Sequence, residues 1–342
     1  MAQHQAPVGI VANPASGRDV RRLVARASAF PVSEKCHMIT RLLAALAATG
    51  VTRVLAMPDR GGITERLRRA IATQGPHDGW PQVEFVEMPI EDGPADTLRA
   101  VELMVAAGVA AIVVLGGDGT HRLAASACGE TPIMALSTGT NNVFPEIREA
   151  TIAGIATGLV ATGRVDATRA SRRNKVLRVE VDGQQTDLAV VDAAISNHRW
   201  IGSKALWHPE LLSQLFVTFA ESDALGLSSI AGLLCPVSRR AAHGLRIDLL
   251  PPERAAVTLK APIAPGLMAS VGIAGVCEIR PSEPQSIHSG SGVIALDGER
   301  EIEFRPQQRV AIRLGLDGPL TIDTEEVMTQ AARDGLLVSR HA

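Results

Sequence analysis

The 342-residue chain contains no tyrosine, and its aromatic content is only 3%. Nucleobase stacking needs aromatic platforms, and gripping a nucleic-acid backbone needs a basic face. A formal net charge of -2 and so few aromatics point to neither, so nucleic acid is not expected as a partner. Cys36, Cys128, Cys235 and Cys277 stand far apart with no C-x-x-C pair. This spacing argues against a disulfide framework or a thiolate metal site and for buried free thiols. The longest apolar stretches, around Leu103 to Leu115 and Thr151 to Ala161, are too short for a bilayer and are interrupted by glycine. No membrane span is expected. Met1-Ala2-Gln3-His4-Gln5 lacks a basic region leading into an apolar core, so no secretory signal is read and a cytoplasmic location is expected. G-x-x-x-x-G-K-S/T and a strand-linked G-x-G-x-x-G are also missing, which removes the signatures of P-loop and Rossmann dehydrogenase sites.

What is present suits a sizeable core. Hydrophobic residues form 46% of the chain and charged residues 20%, a balance unlike disordered or fibrous proteins, over a length that suggests two domains. The first half alternates. A helix is expected over 33–49, with Ser33 as N-cap and Gly50 as stop, then strand 51–57, helix 64–72, strand 83–88, helix 95–107 and a strand into Gly116. Such alternation implies an α/β fold with a doubly wound parallel sheet over residues 1–165. After Gly163 the pattern becomes that of strands. Val176 to Val181, the Asp182-Gly183 turn and a return strand from Thr186 to Ile195 read as a hairpin. Further short runs make residues 166–315 a β-rich, sandwich-like second domain. A tail, 316–342, carries Leu320-Thr321-Ile322-Asp323 followed by a helix from Thr324 to Arg333.

Three strand ends carry chemistry. Ala111 to Leu115 is a buried-strand run that stops at Gly116, Gly117 and Gly119, which surround Asp118 and precede Thr120. Glycines here would let backbone N–H groups reach a phosphate with no Cβ in the way. Val8 to Ala12 ends similarly in Asn13-Pro14-Ala15-Ser16-Gly17-Arg18, before a helical stretch through Arg21, Leu23, Val24 and Ala27. Pro132 to Ser137 runs into Thr138-Gly139-Thr140-Asn141-Asn142, whose hydroxyls and amides can donate to phosphate or ribose oxygens. In open parallel sheets, ligands collect at the carboxyl ends of strands, so three such ends can face one crevice.

Asn13-Pro14-x-Ser16-Gly17, Gly116-Gly117-Asp118-Gly119-Thr120, Thr138-Gly139-Thr140-Asn141-Asn142 and a late Asp297-Gly298-Glu299, in that order, resemble the superfamily that joins NAD kinases with diacylglycerol and sphingosine kinases. Glu34-Lys35, Ala205-Leu206-Trp207, Gly226-Leu227-Ser228 and Val293 to Glu299 resemble its acetoin-catabolism protein X branch, described as ATP-NAD kinase-like. The resemblance implies ATP as phosphoryl donor, Mg²⁺ as cofactor and an all-β second domain, with the tail returning to the first domain. It implies nucleotide binding by Asn13, Pro14, Ser16, Gly17, Gly116, Gly117, Gly119, Thr120, Thr138, Gly139, Thr140, Asn141 and Asn142. Asp118 is the leading catalytic candidate, with Glu299 or Asp297 as a second carboxylate; metal ligands are not assigned.

Alternatives remain at each position. Asp118 orients or deprotonates the acceptor hydroxyl, or holds Mg²⁺; the plainer reading is a turn residue bonded to its own backbone. Asp297-Gly298 is by itself a hairpin signal. Arg169, Arg172, Arg173 and Lys175 read as a solvated edge before a phosphate site, His121 as a polar contact or a site residue, and Trp200 and Trp207 as core or as a ring sandwich. NAD kinases commonly carry an Asn-Glu pair for the dinucleotide, and this chain has no Asn followed by Glu. The acceptor is therefore NAD or another hydroxylated small molecule or lipid. The remaining reading is a non-catalytic nucleotide-binding regulator linked to acetoin catabolism. A homo-oligomer is compatible with all three.

Overall fold

A computed structural model describes residues 5–16, 30–139, 141–197, 208–287, 290–298 and 300–339, and the architecture below concerns those residues. Five parallel strands, β1 (Val8–Ala12), β2 (Arg53–Ala56), β3 (Gln82–Phe85), β4 (Ala111–Gly116) and β5 (Ile133–Ser137), build the first sheet in the order β3-β2-β1-β4-β5. Helices α1 (Val32–Ala48), α2 (Ile63–Thr73), α3 (Pro94–Ala106), α4 (Asp118–Ala127) and α5 (Ala150–Ala161) cross between or flank the strands. Every residue of β1 and β4 is buried, as expected of parallel strands covered on both faces. Leu42, Leu46 and Leu159 pack on one face, Val101, Met104 and Ala124 on the other. The chain runs outward through β2 and β3, then restarts on the far side of β1 at β4. The switch point therefore lies between β1 and β4, where such sheets open a crevice at their carboxyl ends.

Helix α1 begins at Val32, so Ser33, expected as its N-cap, lies inside the helix and Pro31 takes the cap position without a side-chain bond. Gly50 does stop the helix, at φ 92°.

The second domain is a sandwich. After β6 (Ser171–Arg173) come β7 (Val176–Val181), β8 (Gln184–Ala189), β9 (Asp192–Ser196), β10 (Leu212–Val217), β11 (Gly244–Leu250), β12 (Val257–Ala264), β13 (Leu267–Ile279), β14 (Gln285–Ser286), β15 (Gly292–Leu296), β16 (Arg300–Phe304) and β17 (Val310–Gly315). A seven-stranded antiparallel sheet, β12-β13-β11-β10-β9-β15-β16, faces a four-stranded one, β14-β17-β7-β8. Leu177, Ile195, Phe216, Ile294, Phe304 and Ile312 fill the space between them. Helix α6 (Ser228–Leu234) covers the outer face of the larger sheet through Ile230 and Ala231.

The Asp182-Gly183 turn forms with both residues at positive φ, 53° and 81°, the geometry a two-residue hairpin demands. Its return strand differs from the sequence reading. The run from Thr186 to Ile195 breaks into β8 and β9, which belong to different sheets. Apolar residues across 188–195, interrupted by Asp192 alone, hide the break, because either sheet can bury them.

Strand β18 (Leu320–Ile322) then re-enters the first sheet, parallel to β5 and antiparallel to β6. Helix α7 (Thr324–Arg333) adds Val327 and Ala331 to that domain's core. Phe144, Val176, Val190, Val191 and Phe219 form a small apolar cluster where the domains meet, beside an ion pair between Arg122 and Asp187 at 2.8 Å.

The basic cluster is a solvated edge in part: Arg169 and Arg173 are exposed, whereas Arg172 is half-buried and Lys175 buried. Arg172 pairs with Asp323 at 2.9 Å and Arg173 pairs with Glu130. Lys175 is buried, donating to the carbonyls of Ser238 (3.0 Å) and His243 (2.8 Å), and burial pulls its ammonium down to about 8. All four cysteines are free thiols; Cys36 and Cys128 are buried, whereas Cys235 and Cys277 are exposed, contrary to the expectation of burial. Among the described residues, no helix is long and apolar enough to cross a membrane.

Candidate functional site

The loops after β1, β4 and β5 meet at the switch point and are tied to one another. Asn13 anchors the first: its N–H donates to Leu115 O (3.1 Å), its Nδ2 to Thr120 Oγ1 (3.0 Å), and its Oδ1 accepts from Ala15 N (2.9 Å). Ser16 Oγ donates to Asn13 O and lies 2.8 Å from Thr138 Oγ1 in the third loop. Beneath this loop sits Lys35, fully buried, with Nζ donating to the carbonyls of Asn13 (2.8 Å), Pro14 (3.1 Å) and Ser16 (2.6 Å). Three carbonyl dipoles aimed at one ammonium fix the loop's course.

The glycines serve loop packing. A Cβ on Gly116 would stand 2.4 Å from Thr120 Cβ, and one on Gly117 would stand 2.9 Å from Asn142 Oδ1. A side chain at either position would displace another residue of the motifs. Asn142 Nδ2 in turn donates to Ser137 Oγ (2.8 Å), and Ser137 Oγ donates to Gly139 O (2.8 Å).

Asp118 opens α4, and its carboxylate turns to the third loop. Oδ1 accepts from Val143 N (3.0 Å) and Phe144 N (2.8 Å), while Oδ2 accepts from Val143 N (3.1 Å). The carboxylate organises the segment that follows Asn142. His121, one turn along α4, is fully buried; its Nδ1 faces the Gly117 carbonyl at 2.8 Å and must carry the proton, since that oxygen only accepts. Burial holds the imidazole down, at about 4, so it stays neutral and acts as a packed polar contact.

From the second domain, Asp297 reaches the same place. Asp297 and Gly298 do turn the β15–β16 connection, both at positive φ (47° and 73°). The Asp297 carboxylate accepts from Val190 N (3.0 Å), Val191 N (2.8 Å) and Asp192 N (3.1 Å). These amides lie where the chain passes from β8 to β9, and the sheet change gives the carboxylate a cluster of donors. Burial, with the neighbouring charge of Asp118 adding to it, lifts Asp297 to about 7 even against three N–H donors.

A narrow cleft lies between the two carboxylates, lined by Asp118, Asn141, Val143, Asp192, Leu225, Gly226, Leu227, Ile263, Asp297 and Gly298. Of the residues singled out by sequence, Asp118, Asn141, Gly226, Leu227, Asp297 and Gly298 line it. Asn13, Pro14, Ser16, Gly116, Gly117, Thr138, Gly139 and Asn142 lie in the loops that frame it, with Gly119 and Thr120 in the first turn of α4. Gly17, Thr140, Glu299, Trp200, Trp207 and the helical stretch through Arg21 fall outside the described residues. Sequence reasoning missed Asp192, which is 7% exposed in the cleft wall; as one carboxylate in an apolar run it gives no motif. The loop-holding part of Lys35 and the contacts of Arg239 described below were equally invisible, being long-range.

Residues 8–165 match the family described as the ATP-NAD kinase N-terminal domain, and residues 175–317 match the acetoin catabolism protein X C-terminal domain. The chain is 48% identical over 343 aligned residues to acetoin catabolism protein X of Cupriavidus necator, covering 99% of this chain and 96% of that protein. A Bacillus anthracis str. Sterne crystal structure, provisionally described as a diacylglycerol kinase, superposes with a TM-score of 0.46 at 11% identity, covering 94% and 98% of the two chains; that likeness is too distant to carry an argument. Nearly half its residues shared with a protein X over almost the full length of both, together with the matching second domain, place the chain in the acetoin catabolism protein X family.

Proposed function

We propose that this protein is an ATP-dependent phosphotransferase acting on a hydroxyl group, with the NAD ribose as the first acceptor to test. The observation that carries this is the meeting of two carboxylates from different domains, Asp118 and Asp297, across a cleft framed by three polar strand-end loops at the switch point. Phosphoryl transfer asks for positioning, charge stabilisation and a base near the attacking hydroxyl. Loop amides and the hydroxyl of Thr120, which accepts from Asn13 and keeps its own proton, are the donors available to a triphosphate. Asp297 is the better base of the pair, since a group near 7 is half ionised at neutral pH. Asp118 shapes the loop that carries Asn141 and adds the charge that keeps Asp297 basic.

Among the described residues, no group of three His, Cys, Asp or Glu side chains is placed to hold a metal ion. Mg²⁺ typically keeps several waters and takes one or two carboxylates besides the substrate's phosphates, so the donor set fits a cation carried in with ATP. Asp118 and Asp192 are the side chains that would touch it, and it would neutralise charge on the transferring group.

A coupled assay for NADP formation, run beside ATP consumption with other hydroxylated acceptors, tests the reading. NADP formation is expected. ATP consumption with a different acceptor moves the substrate, and nucleotide binding without turnover on any acceptor leaves a regulator.

Lys35 supplies a separate test of the donor loop. Lys35→Met keeps the length but strands three carbonyls, and is expected to weaken binding of an ATP analogue about tenfold, a typical loss for hydrogen bonds to a charged group. Calorimetry showing wild-type affinity in a folded variant would remove the first loop from the donor site.

A further inference from the structure

The peptides of Val143 and Phe144 are held from both sides. Their N–H groups donate to Asp118 in the first domain. Their carbonyls accept from one guanidinium of the second domain: Arg239 Nη2 reaches Val143 O at 2.5 Å and Nη1 reaches Phe144 O at 3.0 Å. The carbonyl of Val143 and the N–H of Phe144 belong to a single peptide group. That group is therefore polarised between a cation and a carboxylate, an arrangement in which each hydrogen bond strengthens the other.

Arg239 does not come to this contact loosely. Glu221 accepts from its Nε (3.0 Å) and Nη2 (3.2 Å), and its guanidinium stacks over the Phe219 ring at 4.0 Å. Both partners follow β10 in the second domain, and the side chain is only 11% exposed. A planar fork held on two edges and one face is a rigid arm, which a lysine's point charge does not reproduce.

We propose that Arg239 is a positioning residue for the phosphotransfer site: through the 143–144 peptides it lets the second domain set the orientation of Asp118 and of the Asn141 loop. The activity arm of its test rests on the function proposed above, whereas the exchange arm does not. In Arg239→Ala, amide hydrogen exchange at Val143 and Phe144 is expected to accelerate at least about tenfold, the scale of losing a hydrogen bond to a charged group, while exchange at Val113 and Val114 in β4 holds.

Single-turnover rates are expected to fall about tenfold in Arg239→Ala with little change in the ATP dissociation constant, and added guanidinium ion is expected to restore part of the loss. Arg239→Lys, which keeps charge and bulk, serves if the alanine variant does not fold, and is expected to show the same exchange and kinetic changes. Unchanged exchange at 143–144 in a folded variant overturns the proposal, as does a slowed rate that guanidinium leaves untouched. A wild-type protein that transfers phosphate to no acceptor defeats the functional reading alone, and the exchange result still decides the coupling.

Discussion

Asp297→Asn is expected to lower single-turnover phosphoryl transfer by about 10²-fold or more, the usual contribution of a general base. Wild-type rates should rise with pH through about 7 as Asp297 loses its proton, and the variant should lack that rise. Asparagine can still accept from Val191 and Asp192, but its NH₂ group replaces the oxygen that faces Val190 N. A donor then meets a donor, at a cost of roughly 1–3 kcal/mol. Proton linkage gives a second signature. The folded carboxyl titrates near 7 against an ordinary 3.8, so the folded state binds the extra proton between those values. The stability this group contributes is full below the ordinary value and is lost as pH rises through about 7; the variant should lose that slope in melting temperature. Retained wild-type turnover in Asp297→Asn would exclude it as the base.

Asp118 should respond differently to two substitutions. Asp118→Ala leaves the amides of Val143 and Phe144 without their acceptor, and each buried N–H so stranded costs roughly 1–3 kcal/mol. Asp118→Asn keeps one oxygen that can serve both amides, so its melting temperature should lie well above that of the alanine variant. Its turnover should still fall by about 10²-fold or more, because the charge that supports phosphoryl transfer and raises Asp297 has gone. The pH at which activity rises should also move down, as a like charge no longer opposes ionisation of Asp297. If Asp118→Asn turns over as fast as wild type, Asp118 is a strut for the loop and nothing more.

Local pattern carried most of the first domain. Apolar runs of five or six residues between amphipathic helices leave little choice but a parallel sheet covered on both faces, and glycine-bearing strand ends mark its carboxyl edge. The strands after Gly163 were legible for the same reason, down to the Asp182-Gly183 turn, because a two-residue hairpin permits few sequences. The break between β8 and β9 was not, since the apolar residues on either side of Asp192 can be buried by either sheet.

At the site the division is sharper. Periodicity and turn chemistry, read with the family resemblance, identified Asp118 and Asp297 as residues to watch, for those signals lie within a few positions of each residue. What they bond to was decided across 25 to 107 residues of chain: Val143 and Phe144 for Asp118, Val190 to Asp192 for Asp297. Only the tertiary structure could turn Gly117 into a seat for Asn142, place Lys35 under three carbonyls, or bring Arg239 onto the back of the loop that holds Asp118. Pairing energies of that kind depend on distance in space and on exclusion of water, neither of which is written in the order of the residues.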